Sequence, residues 1–346
     1  MKIIDLFSGA GGLSLGFENC GFETVLAIDK WKDAIETFNF NHKEKIGSTI
    51  DIHKFTNNDI LKYKRDVIGI IGGPPCQGFS LVGTRDTNDP RNSLYIEYVR
   101  FVDQIRPKFF VLENVSGLLS LEKGLFKDDI LERFNNLGYN VEYKLLTASD
   151  YGVPQSRKRV FFVGLRKDIF NDIYFNFDNL PKANIISTQE AMSDLPKAVN
   201  HKNLIEYKTK ATNDFQRRMR KNSKGLLNHE ITNHTQKTIE IISQVPDGGG
   251  IKDLPEELYK IRNYNNAFRR MNSKLPSNTI DCGHRNYFHY EENRVPTVRE
   301  SARIQSFPDT YVFRGSKTSQ YTQVGNAVPP LLSEIIASEI KKLITN

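Results

Sequence analysis

The chain has 346 residues, 38% apolar and 26% charged, with a formal net charge of +7. That length can bury a large core and favours two unequal domains, and the composition excludes a disordered chain. No apolar run approaches the ~20 residues of a spanning helix, the opening MKIIDLFSGAGG is too short in apolar residues for a signal peptide, and three scattered cysteines, Cys20, Cys76 and Cys282, argue against a disulfide framework. The expected setting is a reducing cytoplasm, with no membrane partner.

In chain order, KIIDLF (2–7), TVLAID (24–29), DVIGIIGG (66–73) and KFFVLEN (108–114) read as buried strands, each ending in turn or polar residues. Helical patterns at 13–19, 32–41 and 93–105 lie between them. This alternation predicts an α/β fold with a mostly parallel sheet and helices on both faces. VEYKLLTAS (141–149) and KRVFFVGLR (158–166) add two strands able to pair as a hairpin-like edge. After about residue 177 the rhythm fails, VPDGGG (245–250) makes a clear break, and a smaller second domain is expected. The tail PPLLSEIIASEIKKLI spaces Leu332, Ile336, Ile340 and Leu343 at helical intervals, and its apolar face needs a partner, most simply the first domain.

Charge is unevenly spread. Residues 201–275 hold fifteen Lys and Arg against eight Asp and Glu, and FQRRMRKNSK (215–224) has five cations and no acid. A solvated helix face is the plain reading; joined to a catalytic domain, phosphate contact is the better one.

Ligands of open α/β sheets bind beyond the carboxyl ends of the strands. FSGAGG, Asp29, GGPPCQ and Glu113 all occupy such ends. Since an ionised carboxylate is costly to bury unpaired, Glu113 after the four apolar residues FFVL reads as a site residue. The glycine loop has Ser14 where the dinucleotide fingerprint has its third glycine. It could hold a nucleotide-like cofactor or be a tight turn; Asp29, placed to accept from ribose hydroxyls, favours a nucleoside-containing cofactor, and Trp31 could cover an adenine. Gln155, Arg157 and Arg159 alternate before a strand and so aim at one side, where arginines could lower a thiol's pKa and hold an anionic or carbonyl-bearing group. Cys76 lacks metal-ligand partners at suitable spacing, and Cys282, His284 and His289 lack a fourth ligand, so no metal is expected. Prolines and glycines around Cys76 describe a rigid exposed loop, which leaves a nucleophile over a core thiol.

DLFSGAGGLSLGF, GGPPCQGFS, ENV, QSRKRV, TVRESARIQSFPD and QVGNAVPP, in this order and spacing, resemble the cytosine-C5 DNA methyltransferases over residues 1–178 and about 295–346. The resemblance implies a catalytic domain (1–178 and 319–346) on a sheet of the kind that binds S-adenosyl-L-methionine, a target-recognition domain (179–318), and base flipping, since a stacked cytosine cannot be attacked on its face. It implies that Cys76 adds to carbon 6, that Glu113 stabilises charge at ring N3, with Asn114 fixing its loop, and that Arg157 and Arg159 hold the base carbonyl. The cofactor would lie on Phe7, Gly9, Ala10, Gly11, Gly12 and Leu13, with Asp29 on the ribose, Asp59 and Ile60 at the adenine, and Pro75, Asn326, Ala327 and Val328 at the methionine end; S-adenosyl-L-homocysteine would leave as product. Where several members carry an aromatic directly after the ribose-binding acid, this chain has Lys30, with Trp31 one later. Ser80, Arg91 and Asn92 lie in a segment that would close over the base. Candidate DNA contacts are Gln155, Arg262, Arg269, Arg270, Ser277, Asn278, Thr279 and Arg285.

The expected partner is double-stranded DNA, met by a monomer, with a companion endonuclease for the same site. The rivals are a tRNA methyltransferase of the same family, which shares the catalytic motifs, and a non-catalytic regulator, which would have no need of Cys76, Glu113, Arg157 and Arg159. A nicotinamide-dependent dehydrogenase fails at Ser14 and at GGPPCQ.

Overall fold

The computed structural model describes residues 1–42, 44–75, 93–259, 268–283 and 287–345. The chain divides into two compact units: Met1–Thr147, Lys158–Pro181 and Ser333–Asn346 form the first, Ala148–Arg157 and Lys182–Leu332 the second.

The first unit begins with β1 (Lys2–Leu6), α1 (Gly12–Asn19), β2 (Glu23–Asp29), α2 (Lys32–Asn41), β3 (Gly47–Thr49), α3 (Asn57–Leu61) and β4 (Val67–Gly72). It continues through α4 (Ser93–Ile105), β5 (Phe109–Val115), α5 (Leu125–Asn136), β6 (Tyr139–Thr147), β7 (Lys158–Arg166) and the single turn α6 (Lys167–Phe170). The seven strands form one sheet in the order β3-β2-β1-β4-β5-β7-β6. The first five run parallel, and β7 lies antiparallel to both β5 and β6. The expected α/β fold and its hairpin edge are thus present; β3 and α5 were not anticipated.

Alternation along β1 sorts its side chains. Ile4 and Leu6 join the core that includes Tyr98, Phe110 and Phe134, so Ile3 and Asp5 face the other side. Two glycines let large rings lie flat on the sheet: a Cβ at Gly69 would fall 2.2 Å from the Phe109 ring, and one at Gly164 2.0 Å from the Phe110 ring. Tyr98 ties α4 to the sheet, its buried hydroxyl donating to Val111 O at 2.8 Å.

The second unit carries α7 (Thr188–Met192), α8 (Asp214–Arg220), α9 (Gln236–Ser243), α10 (Glu256–Tyr259), β8 (Arg269–Arg270), β9 (Tyr287–Phe288), α11 (Val298–Ile304) and α12 (Lys317–Asn326). One of its apolar clusters is built on Ile242, Val245, Ile251, Leu254, Phe268, Phe288 and Val295, and Met192, Phe215, Leu226, Phe307 and Tyr321 are among the other apolar side chains it buries. Buried charge is added to this apolar packing. The Arg303 guanidinium reaches Asp309 Oδ1 and Oδ2 at 2.7 and 2.6 Å and Asp194 Oδ1 at 2.8 Å, with all three side chains fully buried. Arg294 grips Glu300 with two bonds of 2.7 and 2.8 Å.

Residues 319–332, expected with the first domain, belong to the second unit. Their anchors explain why: Tyr321 Oη donates to Pro296 O at 2.7 Å and Gln323 Nε2 to Arg314 O at 2.9 Å. The last helix, α13 (Pro330–Thr345), enters the first unit at Ser333. There Ser333 Oγ donates to Leu13 O at 2.6 Å and Lys341 Nζ to Cys20 O at 2.8 Å. Gly16 is glycine for this reason, since a Cβ would stand 2.4 Å from Ser333 Cβ.

Candidate active site

The glycine loop between β1 and α1 takes its shape from backbone geometry. Phe7, Gly9 and Gly11 have φ of 59°, 53° and 86°, in the left-handed region that favours glycine. Ser8 N donates to Ile28 O at 3.1 Å, which ties the loop to β2. Asp29, at the end of β2, accepts from Gly9 N at 2.9 Å and Trp31 N at 2.8 Å, so one carboxylate organises both the glycine loop and the start of α2. Burial pushes its carboxyl up, and the two amide donors oppose that shift. Beside Gly9 a Cβ would meet nothing within 4 Å. Its glycine is needed for φ, and the open space next to an acceptor carboxylate suits a polar, hydroxyl-bearing ligand.

Beneath the loop lies a pair that the motifs did not announce. Asp5 is buried in the sheet, and Ser14 Oγ in the first turn of α1 lies 2.6 Å from its Oδ2. Loss of water pushes the Asp5 carboxyl up to about 8, the Ser14 hydroxyl pulling the other way. Ser14 thus replaces the dinucleotide glycine with a hydroxyl that partners a buried acid. A carboxylate inside an apolar strand was the available signal, and it applied to Asp5 as it did to Glu113.

Glu113 sits near the carboxyl end of β5, and Arg159 near the start of β7. Glu113 is paired with Phe161 across the antiparallel ladder, so Arg159, two residues from Phe161, lies diagonally on the same face. Arg159 Nε lies 2.9 Å from Glu113 Oε1, the side chains 14% and 11% exposed. That leaves a guanidinium–carboxylate pair dry enough to act strongly yet reachable from outside. On the neighbouring parallel strand, Gly72 must be glycine because a Cβ would stand 2.2 Å from Leu6 O. At Gly73 a Cβ would stand 2.8 Å from Glu113 Oε2, so a larger residue there would push on the Glu113 carboxylate. Asn114 Nδ2 then donates to Pro74 O at 2.8 Å, fixing the chain as it leaves β4 toward Cys76. Cys76, Ser80, Arg91, Asn92, Arg262 and Arg285 lie outside the described residues.

The other expected residues divide. Pro75 is exposed, Phe7 and Trp31 are half-buried, and Ala10, Gly11, Gly12 and Leu13 are buried. Asp59 caps α3: Thr56 N and Oγ1 donate to its Oδ2 at 3.2 and 2.7 Å, and Lys62 Nζ reaches Oδ1 at 2.6 Å. These donors, Lys62 foremost, hold its carboxyl down at about 2. Ile60 is fully buried in the core of the first unit, so its side chain offers no surface to a cofactor.

Gln155 and Arg157 belong to the second unit, where both reach Ile280. Gln155 Oε1 accepts from Ile280 N at 2.9 Å. Arg157 Nη2 donates to Gly325 O at 2.8 Å, with Nη1 at 3.5 Å from Ile280 O. Gln155 was expected at DNA; its side chain is fully buried, which removes it from any surface. Arg270 is corrected on the same ground. Its guanidinium is enclosed by Ile242 O, Val245 O, His289 O, Glu292 O and Asn293 Oδ1 at 2.7–3.1 Å. Ser277 is 1% exposed and bonds Asn278 O. Arg269 and Asn278 are exposed, and Thr279 is half-buried. The VPDGGG break is a tied turn: Ser273 N and Oγ donate to the Asp247 carboxylate at 2.8 and 2.6 Å. In the basic stretch, Arg217 and Arg218 of α8 are exposed, whereas Arg220 donates to Thr209 O at 2.8 Å and stacks on Tyr207 at 3.7 Å.

A family model described as C-5 cytosine-specific DNA methylase matches residues 1–342. The chain is 42% identical to the Type II methyltransferase M.DdeI of Desulfomicrobium norvegicum, over 98% of this chain and 88% of that one. It is 40% identical to the Type II methyltransferase M1.HphI of Haemophilus parahaemolyticus, over 100% and 88%. The crystal structure of a prophage-encoded DNA modification methyltransferase from E. coli superposes with a TM-score of 0.84 at 27% identity, covering both chains in full.

Proposed function

From its membership of the C-5 cytosine-specific DNA methylases, we propose that this enzyme transfers a methyl group from S-adenosyl-L-methionine to carbon 5 of a cytosine flipped out of duplex DNA. The observation that carries the chemistry is the Glu113–Arg159 pair at 2.9 Å, beside the strand end that leads to Cys76.

Carbon 5 of cytosine is a weak nucleophile. Addition of the Cys76 thiolate to carbon 6 forms a C–S bond and shifts electron density to carbon 5 and ring N3. Glu113, with a proton at the oxygen facing N3, stabilises the charge developing there, and Arg159 orients that carboxyl from its other oxygen. Bound cofactor supplies an electrophilic methyl group. Loss of the carbon 5 proton to a base and expulsion of the Cys76 thiolate restore the aromatic ring and the enzyme.

The residues of the glycine loop fit that cofactor. Gly9, with open space beside it, admits the ligand; Asp29 accepts from ribose hydroxyls; Phe7 and the half-buried Trp31 flank the base; Asn326, Ala327 and Val328 serve the methionine end. The first unit is then the catalytic domain and the second the target-recognition domain. In the second, Arg269, Asn278 and Thr279 meet the duplex, Arg217 and Arg218 add phosphate contacts, and a short word is read. The relatives' Type II naming supports a modification role beside a companion endonuclease, in the cytoplasm.

The test is transfer of labelled methyl from S-adenosyl-L-methionine to unmethylated duplex DNA and to tRNA, with bisulfite mapping of the product. Label at carbon 5 of cytosine in one recurring DNA word is expected. Label on tRNA alone would favour the rival substrate and overturn the assignment.

A further inference from the structure

Within the second unit two fully buried glutamines form a one-way chain of hydrogen bonds. Ile280 N donates to Gln155 Oε1 at 2.9 Å. Gln155 Nε2 donates to Gln305 Oε1. Gln305 Nε2 donates to Val324 O at 3.0 Å and Ala327 O at 2.6 Å. Both side chains are 0% exposed. Every oxygen accepts and every amide donates, so turning either side chain over would put two donors or two acceptors face to face.

The chain runs from the segment holding Ser277, Asn278 and Thr279 to the one holding Asn326, Ala327 and Val328. Other contacts bind the same two stretches. A Cβ at Gly325 would stand 2.7 Å from Asp281 O and 2.8 Å from Cys282 N, so the end of α12 lies against that backbone without slack. Cys282 Sγ lies 2.8 Å from Asn326 Oδ1, and Thr322 Oγ1 donates to Cys282 O at 3.3 Å. Neither end of the relay can shift without dragging the other or orphaning a buried amide.

We propose that Gln155 and Gln305 are positioning residues, an internal amide relay that fixes the cofactor-facing Asn326 segment to the DNA-facing Ile280 segment and so links the two binding events. This rests on the cofactor and DNA roles proposed above for those segments. Linkage of this kind is reciprocal: what DNA does for cofactor affinity, cofactor does for DNA affinity.

The test measures S-adenosyl-L-homocysteine affinity by calorimetry, with and without a duplex that the enzyme methylates, with thermal melting as the folding control. The wild type is expected to bind S-adenosyl-L-homocysteine more tightly with the duplex present. Gln155→Met and Gln305→Met are each expected to weaken its binding at least about tenfold and to remove most of the duplex-dependent gain, because each breaks the chain and leaves buried groups unpaired. The double variant should be no worse than the poorer single one, because the chain is already broken. Gln305→Glu keeps the volume but turns a charged oxygen toward two carbonyls; its affinity should recover as pH falls and the acid regains a proton to donate, a response the wild type lacks. Folded Met variants with wild-type affinity and gain, additive losses, a wild type with no gain, or a Gln305→Glu affinity flat with pH would each overturn the relay. Asn326→Ala separates the two levels. Unchanged affinity there overturns the cofactor reading of the segment, and the relay with it; weakened affinity there beside intact Met variants overturns the relay alone.

Discussion

Two regions of this molecule place polar groups in opposite ways. In the first unit the sheet interior is mostly aliphatic and aromatic, with Asp5 and Ser14 as a buried pair, while Asp29, Glu113 and Arg159 lie at strand ends, where a ligand can reach them. In the second unit the cations are turned inward: Arg270 on four carbonyls and an amide, Arg303 between two aspartates, Arg294 on Glu300, Arg299 on Leu227 O and Pro308 O. A parallel sheet satisfies its own backbone and leaves its edges for chemistry. A unit with little regular structure has orphan carbonyls, and guanidinium groups satisfy them. Basic composition there therefore overstates basic surface.

The contrast breaks most visibly at Arg303. Arg303→Met should remove the buried cation that Asp194 and Asp309 share, leaving Asp194 to Arg220 Nη1 and Asp309 to Tyr207 Oη, and destabilise the second unit by about 3 kcal/mol, measured by chemical denaturation; a cost under about 1 kcal/mol would show the network to be dispensable. A catalytic counterpart is Gly73→Ala, whose Cβ would intrude on Glu113 Oε2. It should lower methyl transfer about a hundredfold, as a ~1 Å displacement of a reacting group does, while stability moves little.

Adjacent arginines make the sharpest pair. Arg270→Ala should cost at least ~3 kcal/mol of stability through buried acceptors left unpaired. Arg269→Ala should stay within ~0.5 kcal/mol in stability but weaken DNA binding and lower its salt slope by about 1. Comparable melting of the two variants would erase the distinction between structural and surface cations.

Asp5 tests the first unit by pH. Its folded carboxyl stands at about 8 against an ordinary 3.8, so the folded state holds a proton that the unfolded chain releases. Wild-type stability then falls as pH rises through this window, by up to ~1.4 kcal/mol per pH unit from this group. Asp5→Asn should be free of that fall, and its advantage over the wild type should grow from pH 4 to pH 8 and then level off. An advantage independent of pH would contradict a neutral buried acid.

How much of this was readable in advance follows the same divide. β1, β2, β4 and β5 were legible because short runs rich in Ile, Val, Leu and Phe that end in a turn have few alternatives, and the β6–β7 edge followed from two adjacent runs. β3 has only three residues, GST, and no apolar signature. Glu113 stood out as a charge in an apolar run; its pairing with Arg159 needed the antiparallel register, which no local pattern carries. Gln155, Arg157 and Arg159 do alternate, yet Gln155 and Arg157 turn to Ile280 and Gly325 O while Arg159 meets Glu113. Thr297 and Glu300 spell a capping box that could have placed the start of α11. Nothing local distinguishes Arg269 from Arg270; only the fold around β8 does.

The central claim is that Cys76 attacks a cytosine in DNA with Glu113 and Arg159 assisting. The direct measurement uses a duplex with 5-fluorocytosine at the mapped target. After thiolate addition and methyl transfer, carbon 5 carries fluorine in place of a removable proton, so the thiolate cannot be expelled. The wild-type enzyme with cofactor should form a denaturation-resistant complex joined at Cys76, absent in Cys76→Ser and much slowed in Glu113→Gln. No such complex, or one that survives Cys76→Ser, would contradict the mechanism.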